Sequence, residues 1–204
     1  MNPTTPNQTI IGITGGSGAG KGEVCKMLSG MGVFIINADA IGHQILLKSS
    51  PTAAYDDIVA TFGVGILDKD GEINRKALGG IVFADKTKLE TLNHLTHKHI
   101  AKEIRHIIST QASHIIAIDA ALLVEAGLHK ICHKVIGVFA DMDIRLARIT
   151  QRDGITLAQA KSRIASQMPD ATLAGYVDIQ IINNSNLEEL ERQVAYFYRH
   201  LTPS

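Results

Sequence analysis

The sequence predicts an α/β fold, a parallel five-stranded sheet with helices on both faces. Three observations carry this. Short runs rich in Ile and Val alternate with longer amphipathic stretches. A glycine-rich turn stands directly between the first such run and a helical pattern. The composition is that of an ordinary globular chain, 204 residues with 45% hydrophobic and 20% charged. Twenty Lys plus Arg balance 20 Asp plus Glu, so the formal net charge is zero and no basic field exists for wrapping a nucleic-acid backbone. Cys25 and Cys132 show no C-x-x-C spacing, which fits a reducing compartment and predicts a cytoplasmic chain. The polar opening Met1 to Thr9, with Pro3 and Pro6, reads as a short leader and not as an export signal. No apolar run approaches the roughly 18 residues that span a membrane, so a soluble protein without a membrane partner is expected.

The five expected strands are Thr9 to Thr14, Val33 to Asn37, His114 to Asp119, Lys134 to Ala140 and Ile179 to Asn183. Each runs into polar or glycine-bearing residues that turn the chain. Between the second and third lie about 75 residues without a convincing strand, far more than one crossover helix needs. Within them Pro51 to Phe62 and Arg75 to Phe83 read as short helices separated by the turn Asp68-Lys69-Asp70-Gly71. Lys86 to Thr110 carries apolar residues at helical spacing over about seven turns. This helical stretch, about residues 40–112, is read as an acceptor-binding subdomain. A second excursion, Asp141 to Tyr176, carries Arg145, Arg148, Arg152, Lys161 and Arg163 on two expected helices broken at Asp153-Gly154. It is read as a lid over a bound anion, about residues 143–176. The last helix, Leu187 to Leu201, returns to the core, and the chain is expected to be a single domain.

The strongest chemical signal is Gly15-Gly16-Ser17-Gly18-Ala19-Gly20-Lys21, a G-x-x-x-x-G-K directly after the first strand. Glycines let such a loop turn tightly around phosphates with its N–H groups pointing inward. The following helix adds its N-terminal partial positive charge, and the Lys21 ammonium can reach the outer phosphates. This makes the expected fold a P-loop NTPase three-layer α/β/α sandwich. Gly16, Gly18, Ala19, Gly20, Lys21, Gly22 and Glu23 are the expected nucleotide-binding positions. The pattern usually continues with a Ser or Thr that binds magnesium, but here Gly22 and Glu23 follow. Magnesium keeps several waters, so a water held by Glu23 or by a nearby Asp can replace the hydroxyl.

Two carboxylates end strands. Asp39 follows Ile36-Asn37-Ala38, at the carboxyl end where parallel sheets bind ligands, and is the candidate base that accepts a proton from an acceptor hydroxyl. Its bland alternative is a helix cap before Ala40. Asp119 ends His114-Ile115-Ile116-Ala117-Ile118-Asp119, the pattern of a carboxylate that orients hydrated Mg2+ opposite a phosphate loop. His94, His97 and His99 do not share one helical face, which argues against a zinc site.

Ile13-Thr14-Gly15-Gly16-Ser17-Gly18-Ala19-Gly20-Lys21 resembles the opening T-G-G-x-G-x-G-K of the dephospho-coenzyme A kinase family. So do Asn37-Ala38-Asp39 (family D-A-D), Asp119-Ala120-Ala121-Leu122-Leu123-Val124-Glu125 (D-x-P-L-L-x-E), and Arg148 with Gln151-Arg152-Asp153 (R-x-x-x-R-D). The stretches Glu72 to Leu78, Ile81 to Phe83, and Gln167-Met168-Pro169 through Asn184 add to the resemblance, which covers nearly the whole chain. It implies an ATP-dependent kinase that phosphorylates the ribose 3'-hydroxyl of dephospho-CoA to give coenzyme A. Lys21 would act on the ATP phosphates, Asp39 as base, and Arg148 as the cation that stabilises charge on the transferring group, with Arg152 assisting. The acceptor contacts it implies are Asp39, His43, His97, Leu122 and Leu123.

The departures are Asn37 for the first Asp of D-A-D, His43 for an Arg, Thr96-His97-Lys98 for L-H-P, Ala121 for Pro, and Leu173-Ala174 for a basic pair. Donor chemistry is therefore better grounded than acceptor identity. The cofactors expected are ATP and Mg2+, and the partner is a small molecule, with no nucleic acid and no obligate protein partner. A P-loop kinase for a nucleotide or nucleoside, and a nucleotide-binding regulatory module without turnover, are the rival readings.

Overall fold

In a computed structural model, residues 8–201 are described. Of the leader read as Met1 to Thr9, residues 1–7 lie outside them, while Gln8 is buried and Thr9 opens the first strand. Two compact units emerge, one running to Ile36 and resuming at Ala112, the other spanning Asn37–Gln111.

The first unit is built on a five-stranded sheet of order β2-β3-β1-β4-β5. Its strands are β1 (Thr9–Thr14), β2 (Phe34–Asn37), β3 (Ile115–Asp119), β4 (Lys134–Phe139) and β5 (Ile179–Ile182). β1 pairs in parallel with β3 and with β4, and β4 with β5. The expected strands are present, three of them trimmed by one residue at an end and one by its first residue, Val33. Side chains alternate across the pleat. Ile11 and Ile13 of β1, Ala117 of β3 and Ile136 and Val138 of β4 bury one face against α1 (Lys21–Gly30) and α9 (Leu187–Leu201), through Val24, Leu28, Leu190 and Val194. On the other face Gly12 has no room for a side chain, since a Cβ there would lie 2.5 Å from Leu123 Cδ2 and 3.0 Å from Cys132 Sγ.

After β4 come α6 (Met142–Asp153), α7 (Leu157–Ala165) and a short α8 (Asp170–Leu173) that the sequence does not announce. Gly154, with φ 64°, ends α6, and Thr156 with Gln159 forms a capping box at the start of α7. Leu146 and Ile149 then pack on Ala160 and Ile164.

The second unit is helical: α2 (Ala38–Gln44), α3 (Ala54–Phe62), α4 (Arg75–Val82) and α5 (Lys86–Thr110). Caps set three of its starts, Asn37 for α2, Asn74 for α4 and Asp85 for α5, each accepting from backbone N–H groups of the first turn. The stretch expected to be helical from Pro51 starts only at Ala54, because Ser50 Oγ accepts from Thr52 N–H and holds those residues in a turn. Asp68 Oδ1 accepts from Asp70 N–H and Glu72 N–H, which closes the expected turn beneath an antiparallel bridge between Leu67 and Ile73. Ile58, Ile66, Leu78 and Val82 form the core, with Leu89, Leu92 and Leu95 of α5 against it. His99 is buried here, its Nε2 2.7 Å from Asp57 Oδ2. No helix among the described residues is long and apolar enough to cross a membrane.

Candidate active site

β1 lies between β3 and β4, so the chain leaves it at the point where the strand order reverses, and a crevice opens at the carboxyl ends. The loop after β1 turns there. Gly18 (φ 79°) and Gly20 (φ 98°) occupy left-handed backbone that side chains rarely adopt, and α1 then starts at Lys21 without a side-chain cap. Within its first turn Glu23 N–H donates to Gly20 O at 3.1 Å, which leaves the N–H groups of Lys21 and Gly22 for a ligand.

The loop carbonyls are held from outside. Ser17 O accepts from Arg145 Nε at 2.8 Å, and Ala19 O accepts from Asn183 Nδ2 at 2.8 Å. Arg148 Nη1 approaches Gly18 O at 3.4 Å and Ala19 O at 3.5 Å, and its Nη2 lies 3.4 Å from Asn183 Oδ1. The loop borders a cavity, although its Ala19 N–H donates to Gly16 O at 3.1 Å and its Ser17 N–H to Gln167 Oε1 at 2.8 Å. That cavity, about 540 Å3, is lined by the loop, by Lys21 and Gly22, and by Ala121, Arg148, Gln151 and Arg152.

At its rear, Lys21 Nζ donates to Asp119 Oδ1. β1 and β3 run in register, Ile13 opposite Asp119, so the loop lysine and the strand-end carboxylate meet. Cys25 is one turn beyond Lys21 on the same face of α1. Burial, and then the adjacent Asp119 carboxylate, push its thiol up to about 12, against a smaller opposing pull from Lys21. At the mouth, Arg152 donates from Nε and its terminal nitrogen to both oxygens of Asp153, at 2.7 and 2.9 Å, and Arg163 also pairs with Asp153.

The structure thus gathers Gly16, Gly18, Gly20, Lys21, Gly22, Arg148 and Arg152 around one cavity, with Asp119 behind Lys21. Ala19 belongs to the loop, but its side chain is buried and its N–H donates to Gly16 O. Two expectations need correction. Glu23 does not line the cavity; two residues past Lys21 it is rotated by about 200° on the helix, and its carboxylate pairs with exposed Lys26 at 2.7 Å. Leu123 is fully buried against Gly12 and offers nothing to an acceptor, whereas its neighbour Leu122 is exposed. In the helical unit, Asp39 is exposed in the first turn of α2 and His43 in its last. The capping alternative for Asp39 also fails, since Asn37 Oδ1 accepts from Ala40 N–H at 2.8 Å. His97 is half-buried on α5. Gln151, Gln167 and Asn183 are site residues to which sequence reasoning assigned no role, and Arg145, expected among the lid cations over an anion, is instead engaged by Ser17 O and Asp170 and does not line the cavity.

A family model described as dephospho-CoA kinase matches residues 9–189. The chain belongs to the dephospho-CoA kinase family. A dephospho-CoA kinase of Fusobacterium nucleatum is 39% identical over 188 residues, 92% of this chain and 96% of that one. Among solved structures, a dephospho-CoA kinase from Campylobacter jejuni aligns with a TM-score of 0.67 at 26% identity, covering 94% of this chain and 96% of that one. A protein from Thermus thermophilus aligns with a TM-score of 0.82 at 25% identity, covering 97% and 100%. Membership in this family makes ATP the phosphoryl donor.

The residues also fit a hydrated magnesium ion. Asp119 supplies a carboxylate, and a Cβ built on Gly22 would meet no atom within 4 Å, which leaves space for water where a hydroxyl would otherwise stand.

Proposed function

We propose that this chain transfers the γ-phosphoryl group of ATP to the ribose 3'-hydroxyl of dephospho-CoA, the last step of coenzyme A biosynthesis. What carries the reading is the convergence of Lys21, Arg148 and Arg152 on a cavity lined by the glycine-rich loop, in a chain of this family. Transfer forms a bond from the 3'-oxygen to the γ-phosphorus and breaks the bond to the β–γ bridging oxygen, leaving ADP. The transition state is loose, with charge spread over the phosphoryl oxygens, so positioning and fixed cations supply most of the catalysis. The loop amides and Lys21 bind the phosphates. Arg148 and Arg152 neutralise charge at the transferring group, and Asp39 aims the hydroxyl and takes its proton. His43, His97 and Leu122 contact the acceptor. Asp119 would hold a hydrated Mg2+, which would supply neutralisation of phosphate charge.

Purified protein supplied with ATP, Mg2+ and dephospho-CoA should form coenzyme A carrying a 3'-phosphate. Asp39→Asn should reduce turnover at least a hundredfold while the fold persists. Turnover of nucleoside monophosphates and not of dephospho-CoA would replace this reading with a different acceptor.

A further inference from the structure

Arg145 is the most buried ionised side chain of the first unit, 3% exposed, yet it faces neither the cavity nor solvent. Its guanidinium is divided between two tasks. Nε donates to Ser17 O at 2.8 Å, and Nη1 donates to both carboxylate oxygens of Asp170, at 3.1 and 2.9 Å. The other end of the Ser17 residue is held as well, its N–H donating to Gln167 Oε1 at 2.8 Å. Gln167 and Asp170 are three residues apart. The bonds therefore close a ring, from Ser17 N–H through Gln167 and the chain to Asp170, then through Arg145 back to Ser17 O.

The fit around the ring is tight. A Cβ on Gly16 would lie 2.2 Å from Arg145 Nη2, and one on Gly18 would lie 2.6 Å from Arg145 O. The glycines on both sides of Ser17 are thus required by Arg145 as well as by any ligand. A loop with three glycines in four residues is otherwise free to rotate its peptides. A charged donor on the carbonyl and an amide acceptor on the N–H hold it in one orientation. The third requirement is that a buried guanidinium keep its counter-charge, which Asp170 supplies.

We propose that Arg145, Gln167 and Asp170 are positioning residues for phosphoryl transfer. They act through Ser17, whose N–H and carbonyl they hold from both sides, presetting the backbone of the loop that receives the ATP phosphates, and they tie the loop's orientation to the segment entering α8. The inference rests on the donor-site reading given above and not on the identity of the acceptor.

The test uses the full chain carrying Asp170→Asn and, separately, Gln167→Leu, which leave Arg145 in place. ATP affinity is measured directly by calorimetry in the absence of acceptor. KM for ATP and KM for dephospho-CoA are measured in parallel, and folding is followed by thermal melting. Each variant should weaken ATP binding by about tenfold and raise KM for ATP to match, with KM for dephospho-CoA within about twofold. The double variant should lose less than the product of the two, because both side chains belong to one ring of hydrogen bonds that restrains a single residue, Ser17. ATP affinity unchanged in both variants, or equal loss toward both substrates, would overturn the inference. If the parent binds ATP but does not turn over dephospho-CoA, the calorimetric arm still decides this point while the acceptor assignment alone fails. Should Asp170→Asn not fold, Gln167→Leu, which leaves every charge paired, decides it.

Discussion

Lys21 donates its ammonium hydrogen to Asp119, joining the phosphate loop to the end of a neighbouring strand. Both side chains are largely buried, so each is the principal counter-charge of the other. Removing the carboxylate should therefore affect chemistry more than ATP capture. Asp119→Asn should lower kcat on the order of a hundred- to a thousandfold, the scale of losing one preorganised charge. Dependence on Mg2+ should steepen, and ATP affinity should change only a few-fold. Steady-state kinetics across a Mg2+ series, with calorimetry on the variant, checks this.

The two thiols predict alkaline instability. Burial pushes both Cys25 and Cys132 from 9.0 up to about 12. Each then favours the folded state fully below pH 9. Above it the unfolded chain releases the proton first, so the contribution is lost as pH rises toward 12. By pH 10 each thiol should cost about 1 kcal/mol of stability. Urea unfolding at pH 8, 9 and 10 should show the loss, and Cys132→Ala should fall less steeply than the parent over that interval.

Asp153 predicts the opposite sign at the acid end. Hydrogen bonds from Arg152, and next from Arg163, hold its carboxyl down at about 2 from 3.8. Its contribution is present above pH 3.8 and disappears as pH falls toward 2. Asp153→Asn should remove that acid dependence. It should also release the Arg152 guanidinium at the cavity mouth, lowering kcat several-fold at neutral pH. Acid melts of parent and variant, with kcat at neutral pH, test both effects.

Gly22 stands where a hydroxyl ligand to magnesium is customary, and its surroundings are open to a side chain. Gly22→Ser should fold, gain about 0.5 kcal/mol from helix propensity, and reach half-maximal rate at several-fold lower Mg2+. A melt and a Mg2+ titration suffice. An unaltered Mg2+ midpoint would place the ion away from this position.

The phosphate loop was legible because its chemistry is written as a local constraint. Amides can face a phosphate only where side chains are absent, and that leaves glycines at fixed spacing. Strand ends were legible for a similar reason, an apolar run stopping at Asn37 or Asp119. The grips on the loop were not. Arg145, Gln167 and Asn183 reach Ser17 and Ala19 across 128, 150 and 164 residues, and no local periodicity records such a partnership. Arg145 was visible only as one arginine among several on an amphipathic helix. Glu23 was misjudged because nearness to Lys21 in sequence is not nearness on a helix, and Leu123 because a paired Leu-Leu does not reveal which member faces the sheet.

Titration of MgATP into the purified chain, by calorimetry, bears most directly on the donor site. One saturable site and a raised melting temperature are predicted, with Lys21→Ala losing at least tenfold in affinity while remaining folded. No heat and no melting shift with the parent chain, or full affinity in Lys21→Ala, would contradict it.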